Sequence, residues 1–198
     1  MPHSRFVGKS GLGLRGDATL EFDWSVGQVL DTLDRLGLAD NTLVIVTSDN
    51  GPVVRGGYDD GSLQKLNGHT PSGPLRGGKF SAFEAGTRVP FLARWPGHVK
   101  PGVSAALITQ VDFLATFAAL VGQVLAAGES ADSRNAVAAL LGFDDRGRDY
   151  IIAHAAHGRL GLTTGRWKYI EPGPGQPRNV DINIELGNSP MPQLYDLT

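Results

Sequence analysis

The chain has 198 residues, of which 41% are hydrophobic and 19% charged, and its formal net charge is −2 at pH 7. These values are typical of a globular protein with one domain and room for a small appendage. The net charge of −2 and the absence of a Lys/Arg run argue against nucleic acid as a partner. No apolar stretch predicts a membrane span and the first residues do not resemble a signal peptide, so the compartment stays unassigned. Cysteine is absent, which excludes disulfides, thiolate metal sites and a cysteine-derived nucleophile within this chain.

The first two thirds of the chain predict helices and buried strands. Apolar side chains recur at helical spacing from Asp17 to Leu36, where Asp17 can cap the start and Gly37 follows the end. The continuous apolar run Leu43–Val46 is typical of a parallel strand that is buried on both faces. The other predicted elements are a strand over 89–95 and helices over 111–121 and 133–141. The side chains predicted to share one face of the first helix are Phe22, Val26, Val29, Leu30 and Leu33.

The last third of the chain has a different pattern. Three short apolar segments, over 150–155, 160–164 and 167–170, are joined by glycine-bearing turns, which is typical of antiparallel hairpins. An Ala/Gly/Ser/Asp-rich stretch over 122–133 favours a boundary between two units. The sequence therefore predicts an α/β fold over residues 1–125 and a small α+β subdomain with an antiparallel sheet over residues 126–198.

The strongest candidate site is the pair Asp49 and Asn50, where the first predicted strand ends in a Gly-Pro turn. Open α/β sheets bind ligands outside the carboxyl ends of their strands. A carboxylate and an amide carbonyl are oxygen ligands suited to Ca²⁺ or Mg²⁺, whereas the alternative is an Asx turn without any ligand. The position at a strand end favours the metal site.

A second candidate site is the glycine-rich segment Gly73–Lys79, which contains two cations. Its two consecutive glycines allow close backbone approach, so Lys79 and Arg76 can hold an anionic oxygen. The alternative is an ordinary solvated pair. His69 lies four residues before this segment and either hydrogen-bonds a substrate or stabilises its own loop. A metal site and fixed cations together predict chemistry on a sulfate or phosphate ester.

Other titratable pairs are interpreted as structural. Glu84 and Arg88 lie four residues apart, which predicts an ion pair that braces the loop. His154 and His157 have no third ligand nearby in the sequence, so a metal site there is not predicted.

Three linked segments resemble the type I sulfatases of the alkaline phosphatase superfamily in both order and spacing. They are Asn41–Pro52 (NTLVIVTSDNGP), Gly68–Lys79 (GHTPSGPLRGGK) and Phe83–Phe91 (FEAGTRVPF). The first helix also resembles that family, and the segments over 165–170 and 193–197 resemble its small terminal domain. The likeness covers nearly the whole chain. It implies part of an alkaline-phosphatase-like sheet sandwiched by helices, followed by an incomplete terminal subdomain.

The resemblance implies a sulfuric ester hydrolase that uses Ca²⁺ and a formylglycine hydrate. By this resemblance Asp49 and Asn50 ligate the metal, and Lys79 binds the sulfate and the bridging ester oxygen. A cation there stabilises the charge that develops on the leaving oxygen. His3 matches a histidine that assists at the same place, although Arg5 stands where that motif has proline. His69 and Arg76 are expected substrate-binding residues, and the expected substrate is a small-molecule or glycan sulfate ester.

The sequence departs from the family pattern in one major respect. It has no Cys/Ser-X-Pro-Ser-Arg segment, from which the family makes its nucleophile, and no upstream Asp-Asp pair to complete the metal site. We therefore expect the C-terminal portion of a sulfatase, with an incomplete Ca²⁺ site and no activity of its own. Two alternatives are a non-catalytic metal- or anion-binding remnant, and a phosphate or phosphonate ester hydrolase of the same superfamily.

Overall fold

The computed structural model describes residues 1–58 and 60–198, and these contain four α-helices and eight strands, besides three short 3₁₀ helices. The helices are α1 (Gly13–Arg35), α2 (Glu84–Thr87), α3 (Phe113–Leu120) and α4 (Val137–Leu140). The strands are β1 (Val44–Thr47), β2 (Phe91–Arg94), β3 (Ile151–His154), β4 (Leu160–Thr163), β5 (Trp167–Ile170), β6 (Arg178–Asn179), β7 (Ile184–Glu185) and β8 (Gln193–Asp196). None of the helices in the described part of the chain is both long and apolar enough to cross a membrane. The mixed α/β class is as predicted.

Helix α1 begins four residues earlier than predicted, because Asp17 is not its cap. The carboxylate of Asp17 is buried and accepts hydrogen bonds from the backbone N–H groups of Ser10 (2.9 Å) and Gly8 (2.8 Å). These bonds, that of Ser10 first, lower the pKa of Asp17. The residue therefore fixes the loop before the helix. At the other end Gly37 has a φ of 65° and completes a Schellman motif, as its predicted position after the helix requires.

The prediction of a parallel β1 is wrong within the described residues. Strand β1 pairs with β2 in antiparallel register, with Val44 opposite Arg94 and Thr47 opposite Phe91, and the two strands form a sheet of their own. Every residue of β1 is half-buried. The apolar run predicted the strand correctly. Its direction relative to the neighbouring strand was not predictable from the run, because that neighbour, β2, lies some 45 residues further along the chain.

The C-terminal sheet is antiparallel as predicted, in the order β3-β4-β5-β8. Strand β5 has the predicted bounds, and its buried residues alternate with exposed ones, so that Lys168 and Ile170 face inward. A separate two-stranded ribbon is formed by β6 and β7. Helix α4 is much shorter than the predicted 133–141 segment, and a 3₁₀ turn over Gln110–Asp112 precedes α3.

The core lies between this sheet and a continuous buried segment over 81–86. Ala82 and Phe83 pack against Ile170, which is fully buried, and Tyr195 meets the Phe83 ring edge-on at a centroid distance of 5.6 Å. The backbone N–H of Ala82 donates to the carbonyl of Leu186 at 2.9 Å. The C-terminal sheet and its adjoining loop therefore clamp the segment that links the predicted sulfate-binding motif to α2.

Candidate functional site

Asp49 and Asn50 occupy the turn that follows β1. The Nε2 group of Gln110 donates to the carbonyl oxygen of Ser48 at 2.8 Å, which fixes the end of the strand from the start of α3. The carboxylate of Asp49 is exposed, and its closest described donor is the hydroxyl of Ser48 at 3.5 Å. The amide nitrogen of Asn50 donates to the carbonyl of Gly51 at 3.1 Å. Both side chains thus keep oxygen atoms available for a ligand.

The three motif segments are joined by backbone hydrogen bonds. The amide of Lys79 donates to the carbonyl of Pro52 at 2.9 Å, and the amide of Gly51 donates to that of Gly86 at 3.1 Å. The amide of Ala85 donates to the carbonyl of Arg76 at 2.9 Å, which closes the third side. The turn after β1, the glycine-rich segment and the start of α2 are therefore one hydrogen-bonded unit.

Glycine is required at this junction for steric reasons. A Cβ atom at Gly51 would lie 1.6 Å from the carbonyl oxygen of Ala85, and one at Gly78 would lie 2.7 Å from that of Pro52. Real Cβ atoms do not approach other heavy atoms so closely, so the backbones meet only because side chains are missing. The glycines of these motifs therefore serve to bring the segments into contact.

A cleft of about 700 Å³ opens beside this unit. Asp49 and Asn50 line it, together with Phe80 and Ser81. Its other walls are the extended segment over 104–109 and the ends of β3 and β4. The predicted metal ligands thus face a space large enough for a sugar-sized molecule.

Glu84 lies at the floor of the cleft and is bound to the C-terminal sheet. Its carboxylate accepts from the Nζ group of Lys168 at 2.9 Å, and the two side chains are 9% and 1% exposed. The hydroxyl of Thr163 also donates to Glu84, at 3.3 Å. The predicted pair of Glu84 with Arg88 is present but longer, at 3.8 Å, and its guanidinium is largely exposed.

Arg76 is held away from the cleft. Its guanidinium donates to both carboxylate oxygens of Glu185, at 2.8 and 3.1 Å, and lies 4.0 Å from the centre of the Phe83 ring. The hydrogen bonds that Arg76 donates to Glu185 raise the pKa of Arg76 above its ordinary value. These contacts give Arg76 a role in joining the glycine-rich segment to the β6–β7 ribbon. Substrate binding by Arg76 stays a prediction.

The other predicted residues lie at different distances from the cleft. Lys79 does not line it directly, but the next two residues do, and its Nζ lies 5.5 Å from the centre of the Phe80 ring. His69 is exposed on the loop before the glycine-rich segment. His3 is exposed next to α1, where its backbone amide donates to the carboxylate of Glu21 at 2.8 Å. Neither histidine is among the residues that line the cleft.

The described residues do not form a metal site, and calcium binding by Asp49 and Asn50 stays a prediction. Asp49 and Asn50 supply two oxygen ligands of suitable chemistry, whereas Ca²⁺ takes roughly six to eight. Among residues 1–58 and 60–198 no group of three or more His, Cys, Asp or Glu side chains is arranged to hold a metal ion. The donor set fits a metal that receives its remaining ligands from elsewhere.

Two buried charged residues that stabilise the surroundings of the cleft were missed at the sequence level. Lys168 alternates with exposed Trp167 and Tyr169 in β5, and this alternation signalled an inward-facing cation that needs a buried partner. Asp112 is buried at the start of α3, where it accepts from the guanidinium of Arg148 and the backbone of Arg134. Its spacing from Thr109 matches a capping box, which the structure contains.

Comparison with known proteins gives a consistent result. The family model described as Sulfatase matches residues 5–123. An N-acetylgalactosamine-6-O-sulfatase of Bacteroides thetaiotaomicron is 50% identical over 198 residues, which is all of this chain and 39% of that protein. A steryl-sulfatase of Rattus norvegicus is 40% identical over 162 residues, 81% of this chain and 27% of that protein.

Solved structures show the same likeness. A structure from work on glycosaminoglycan metabolism by Bacteroides thetaiotaomicron superposes with a TM-score of 0.96 at 50% identity, covering 99% of this chain and 41% of that one. The PsFucS1 sulfatase from Pseudoalteromonas sp. gives a TM-score of 0.71 at 27% identity, covering 92% of this chain and 36% of that one. The chain thus spans about two fifths of the length of the two Bacteroides matches.

Proposed function

Because this chain belongs to the sulfatase family, we propose that it forms part of the active site of a sulfuric ester hydrolase. The observation that carries the proposal is the backbone junction between the three motif segments, in which Pro52 accepts from Lys79 and Gly51 donates to Gly86. This junction joins the segments that carry Asp49, Asn50 and Lys79, and Asp49 and Asn50 line the cleft beside it, which supports the proposal.

In this proposal each residue has a role that its chemistry supports. Asp49 and Asn50 contribute a carboxylate and an amide oxygen to Ca²⁺, which when bound would polarise a sulfate group. Lys79 provides a cation for the sulfate and for the charge that builds on the leaving oxygen. The carboxylate of Glu84 is already bound to Lys168, so Glu84 positions the cleft floor and does not hold the metal.

The proposed substrate is a sulfated amino sugar within a glycan. The relative from Bacteroides thetaiotaomicron that is 50% identical over the whole of this chain is named an N-acetylgalactosamine-6-O-sulfatase. The cleft beside Asp49 has a volume of about 700 Å³, which is sufficient for a sugar ring with a sulfate.

The chain by itself is proposed to bind without turnover. Its sequence has no cysteine and no Ser-X-Pro-Ser-Arg segment, so it supplies none of the residues from which the family's formylglycine is made. A second candidate, a non-catalytic metal- or anion-binding protein, is favoured by the same lack of a nucleophile.

The test is calorimetric titration of the whole chain with Ca²⁺ and then with inorganic sulfate. Two ligands predict weak Ca²⁺ binding, with a Kd of roughly a millimolar or weaker. We expect Asp49→Ala to abolish Ca²⁺ binding and Lys79→Ala to abolish sulfate binding. The matched controls are Asp23→Ala and Lys9→Ala, which remove equal charges from exposed positions.

Two results would contradict the assignments. Ca²⁺ binding that survives Asp49→Ala removes the proposed metal ligand, and sulfate binding that survives Lys79→Ala removes the proposed anion site. Turnover of an aryl sulfate by the chain alone would contradict the proposed lack of activity. Binding of both ions without turnover is expected.

A further inference from the structure

Phe80 has a backbone conformation that its side chain disfavours. Its φ is 73°, and the other non-glycine residues with positive φ in the described part of the chain are Asn67, His157 and Asn183. Asparagine and histidine adopt this left-handed region more readily, whereas it is an outlier for a bulky aromatic residue. Such a conformation costs free energy and tends to persist where the residue has a function.

The turn that contains Phe80 requires the positive φ but not the phenylalanine. The backbone amide of Ser81 donates to the carbonyl of Gly78 at 3.0 Å, so Phe80 is the third residue of a four-residue turn. A positive φ at this position is typical of a type II turn, which favours glycine there. The carbonyl of Phe80 also accepts from the amide of Ala156 at 3.1 Å, which fixes the turn against the loop after β3. Glycine would meet these backbone requirements without strain, so the aromatic side chain needs a separate explanation.

Burial of the ring does not provide that explanation. Phe80 is 44% exposed, whereas Phe83 in the same segment is 5% exposed and belongs to the core. Phe91 and Phe113, the other phenylalanines that line the cleft, are half-buried and contact each other. Phe80 is thus the phenylalanine that the cleft exposes to a ligand.

The ring of Phe80 lies next to the proposed sulfate-binding cation. The Nζ group of Lys79 is 5.5 Å from the centre of this ring, within the range of a cation–π contact. One small ligand can therefore contact both groups. At the ends of β3 and β4, His154 and Thr164 line the same cleft, and their side chains can hydrogen-bond to hydroxyl groups. An exposed aromatic ring among such polar groups suits a sugar better than a wholly apolar ligand.

We propose that Phe80 is a specificity-determining residue whose ring packs against the sugar ring of a sulfated substrate. The inference rests on the proposed function, because it places the sulfate group of the same substrate at Lys79. The faces of a sugar ring carry C–H groups with partial positive charge, and these pack favourably on the electron-rich face of an aromatic ring. Phe80 adds affinity for the sugar, while Lys79 provides affinity for the sulfate.

The experiment titrates the whole chain with inorganic sulfate and with N-acetylgalactosamine 6-sulfate, and measures both dissociation constants by NMR. We expect the sugar sulfate to bind about fivefold more tightly, which is the ratio that one aromatic contact supplies. Phe80→Gly should bring this ratio close to one and leave the Kd of inorganic sulfate unchanged. Phe80→Tyr retains an aromatic ring and should retain the ratio.

The matched control is Phe143→Ala, because Phe143 is 71% exposed and does not line the cleft. This variant should leave the affinity ratio unchanged. Thermal unfolding gives a second readout, which separates ligand binding from packing. Phe80→Gly should raise the unfolding midpoint, because glycine adopts the positive φ without strain, whereas loss of a ring needed for packing would lower it. If Phe80→Gly does not fold by circular dichroism, Phe80→Asn takes its place, since asparagine also tolerates a positive φ.

Several results would overturn the proposal. These are a ratio close to one in the unsubstituted chain, a ratio that Phe80→Gly leaves unchanged, a ratio lost in Phe80→Tyr or Phe143→Ala, and a lower unfolding midpoint in Phe80→Gly. A failure of the proposed function is recognised separately, because inorganic sulfate then does not bind or its binding survives Lys79→Ala. If the sugar sulfate still binds in that case and Phe80→Gly weakens it, the ring contact stands without the sulfate site. If neither anion binds, both proposals are wrong.

Discussion

The two main sheets of this molecule differ in how far they are completed by their own chain. The four-stranded sheet β3-β4-β5-β8 packs one face on the segment over 81–86 and buries Ile170 and Lys168 almost fully. The two-stranded sheet β1-β2 has no fully buried residue in β1, and the helices beside it expose Phe22, Val29 and Phe117. One sheet closes a core, while the other lies next to the candidate site residues Asp49 and Asn50 and leaves apolar side chains exposed.

This difference has a chemical counterpart. In the C-terminal sheet the buried charge of Lys168 has a partner within hydrogen-bonding distance. Next to the two-stranded sheet, the carboxylate of Asp49 has a single long contact among the described residues, to the hydroxyl of Ser48 at 3.5 Å. The buried charge that stabilises the fold is thus paired, whereas Asp49, the proposed metal ligand, is left available, as is typical of ligand-binding loops in less stable regions.

The largest expected effect comes from breaking the buried ion pair between Glu84 and Lys168 of the C-terminal sheet. Lys168→Met should lower the free energy of unfolding by about 3–5 kcal/mol, because it leaves the carboxylate of Glu84 buried without its cation. Urea denaturation followed by tryptophan fluorescence measures the change. The control is Arg166→Ala, which removes an exposed ion pair with Asp196 and should cost less than about 1 kcal/mol.

A double variant sharpens this prediction. Glu84→Gln combined with Lys168→Met removes both charges and should recover at least half of the loss, because no unpaired charge remains. Equal losses of stability from Lys168→Met and Arg166→Ala would mean that the buried Glu84–Lys168 pair contributes no more to stability than the exposed Arg166–Asp196 pair. In that case the C-terminal sheet would be held by apolar packing alone.

A second buried ion pair, between Asp112 and Arg148, lies at the start of α3 beside the two-stranded sheet. Its contribution to the free energy of unfolding depends on pH. The carboxylate of Asp112 is 3% exposed and the guanidinium of Arg148 is 13% exposed. Burial alone raises the pKa of Asp112, but hydrogen bonds from Arg148 and from the backbone of Arg134 outweigh it, and the pKa is lowered overall. This pair therefore contributes stability above the unfolded-state pKa of about 3.9 and loses it as the pH falls through the lower folded-state pKa.

Asp112→Asn should accordingly lower the free energy of unfolding by about 3 kcal/mol at pH 7. The difference from the unsubstituted chain should begin to shrink below about pH 4, where the unfolded chain binds a proton at Asp112, and it is lost as the pH falls through the lower folded-state pKa. Urea denaturation at pH 7 and pH 3 measures both effects. Asp145→Asn is the exposed control and should change stability by less than about 0.5 kcal/mol. A difference that stays constant over this pH range would contradict the lowered pKa.

The same contrast explains how much of the fold was predictable from the sequence. Strand β5 has the predicted bounds and the C-terminal hairpins are antiparallel as expected, because their pairing follows from turns only a few residues long. Strand β1 was correctly placed within one residue, but its antiparallel partner β2 lies far along the chain, and the apolar pattern contains no information about that direction. Local pairings were predicted and the distant one was not.

For the candidate site, the sequence predicted the local position of the residues better than their contacts, and their roles stay predictions. Asp49 and Asn50 lie at the end of a strand beside a cleft, as their position predicted. The contacts of Arg76 with Glu185 and of Glu84 with Lys168 each join residues more than 80 positions apart, and no local pattern encodes them. A residue's type and local element are thus accessible from sequence, whereas its partner depends on how distant segments assemble.

The smallest effects come from two glycines that have opposite roles. Gly51→Ala places a Cβ against the carbonyl of Ala85 at the motif junction, and should lower the free energy of unfolding by about 1–3 kcal/mol. Gly27→Ala lies within α1 with no atom near the new Cβ, and should raise stability by about 1 kcal/mol, because alanine favours the helix. Thermal unfolding by circular dichroism measures both.

Destabilisation by Gly27→Ala would mean that this part of α1 is packed more closely than its open surface indicates. A neutral Gly51→Ala would mean that the junction can move apart, and the arrangement of Asp49 relative to Lys79 would then not be fixed by backbone contact.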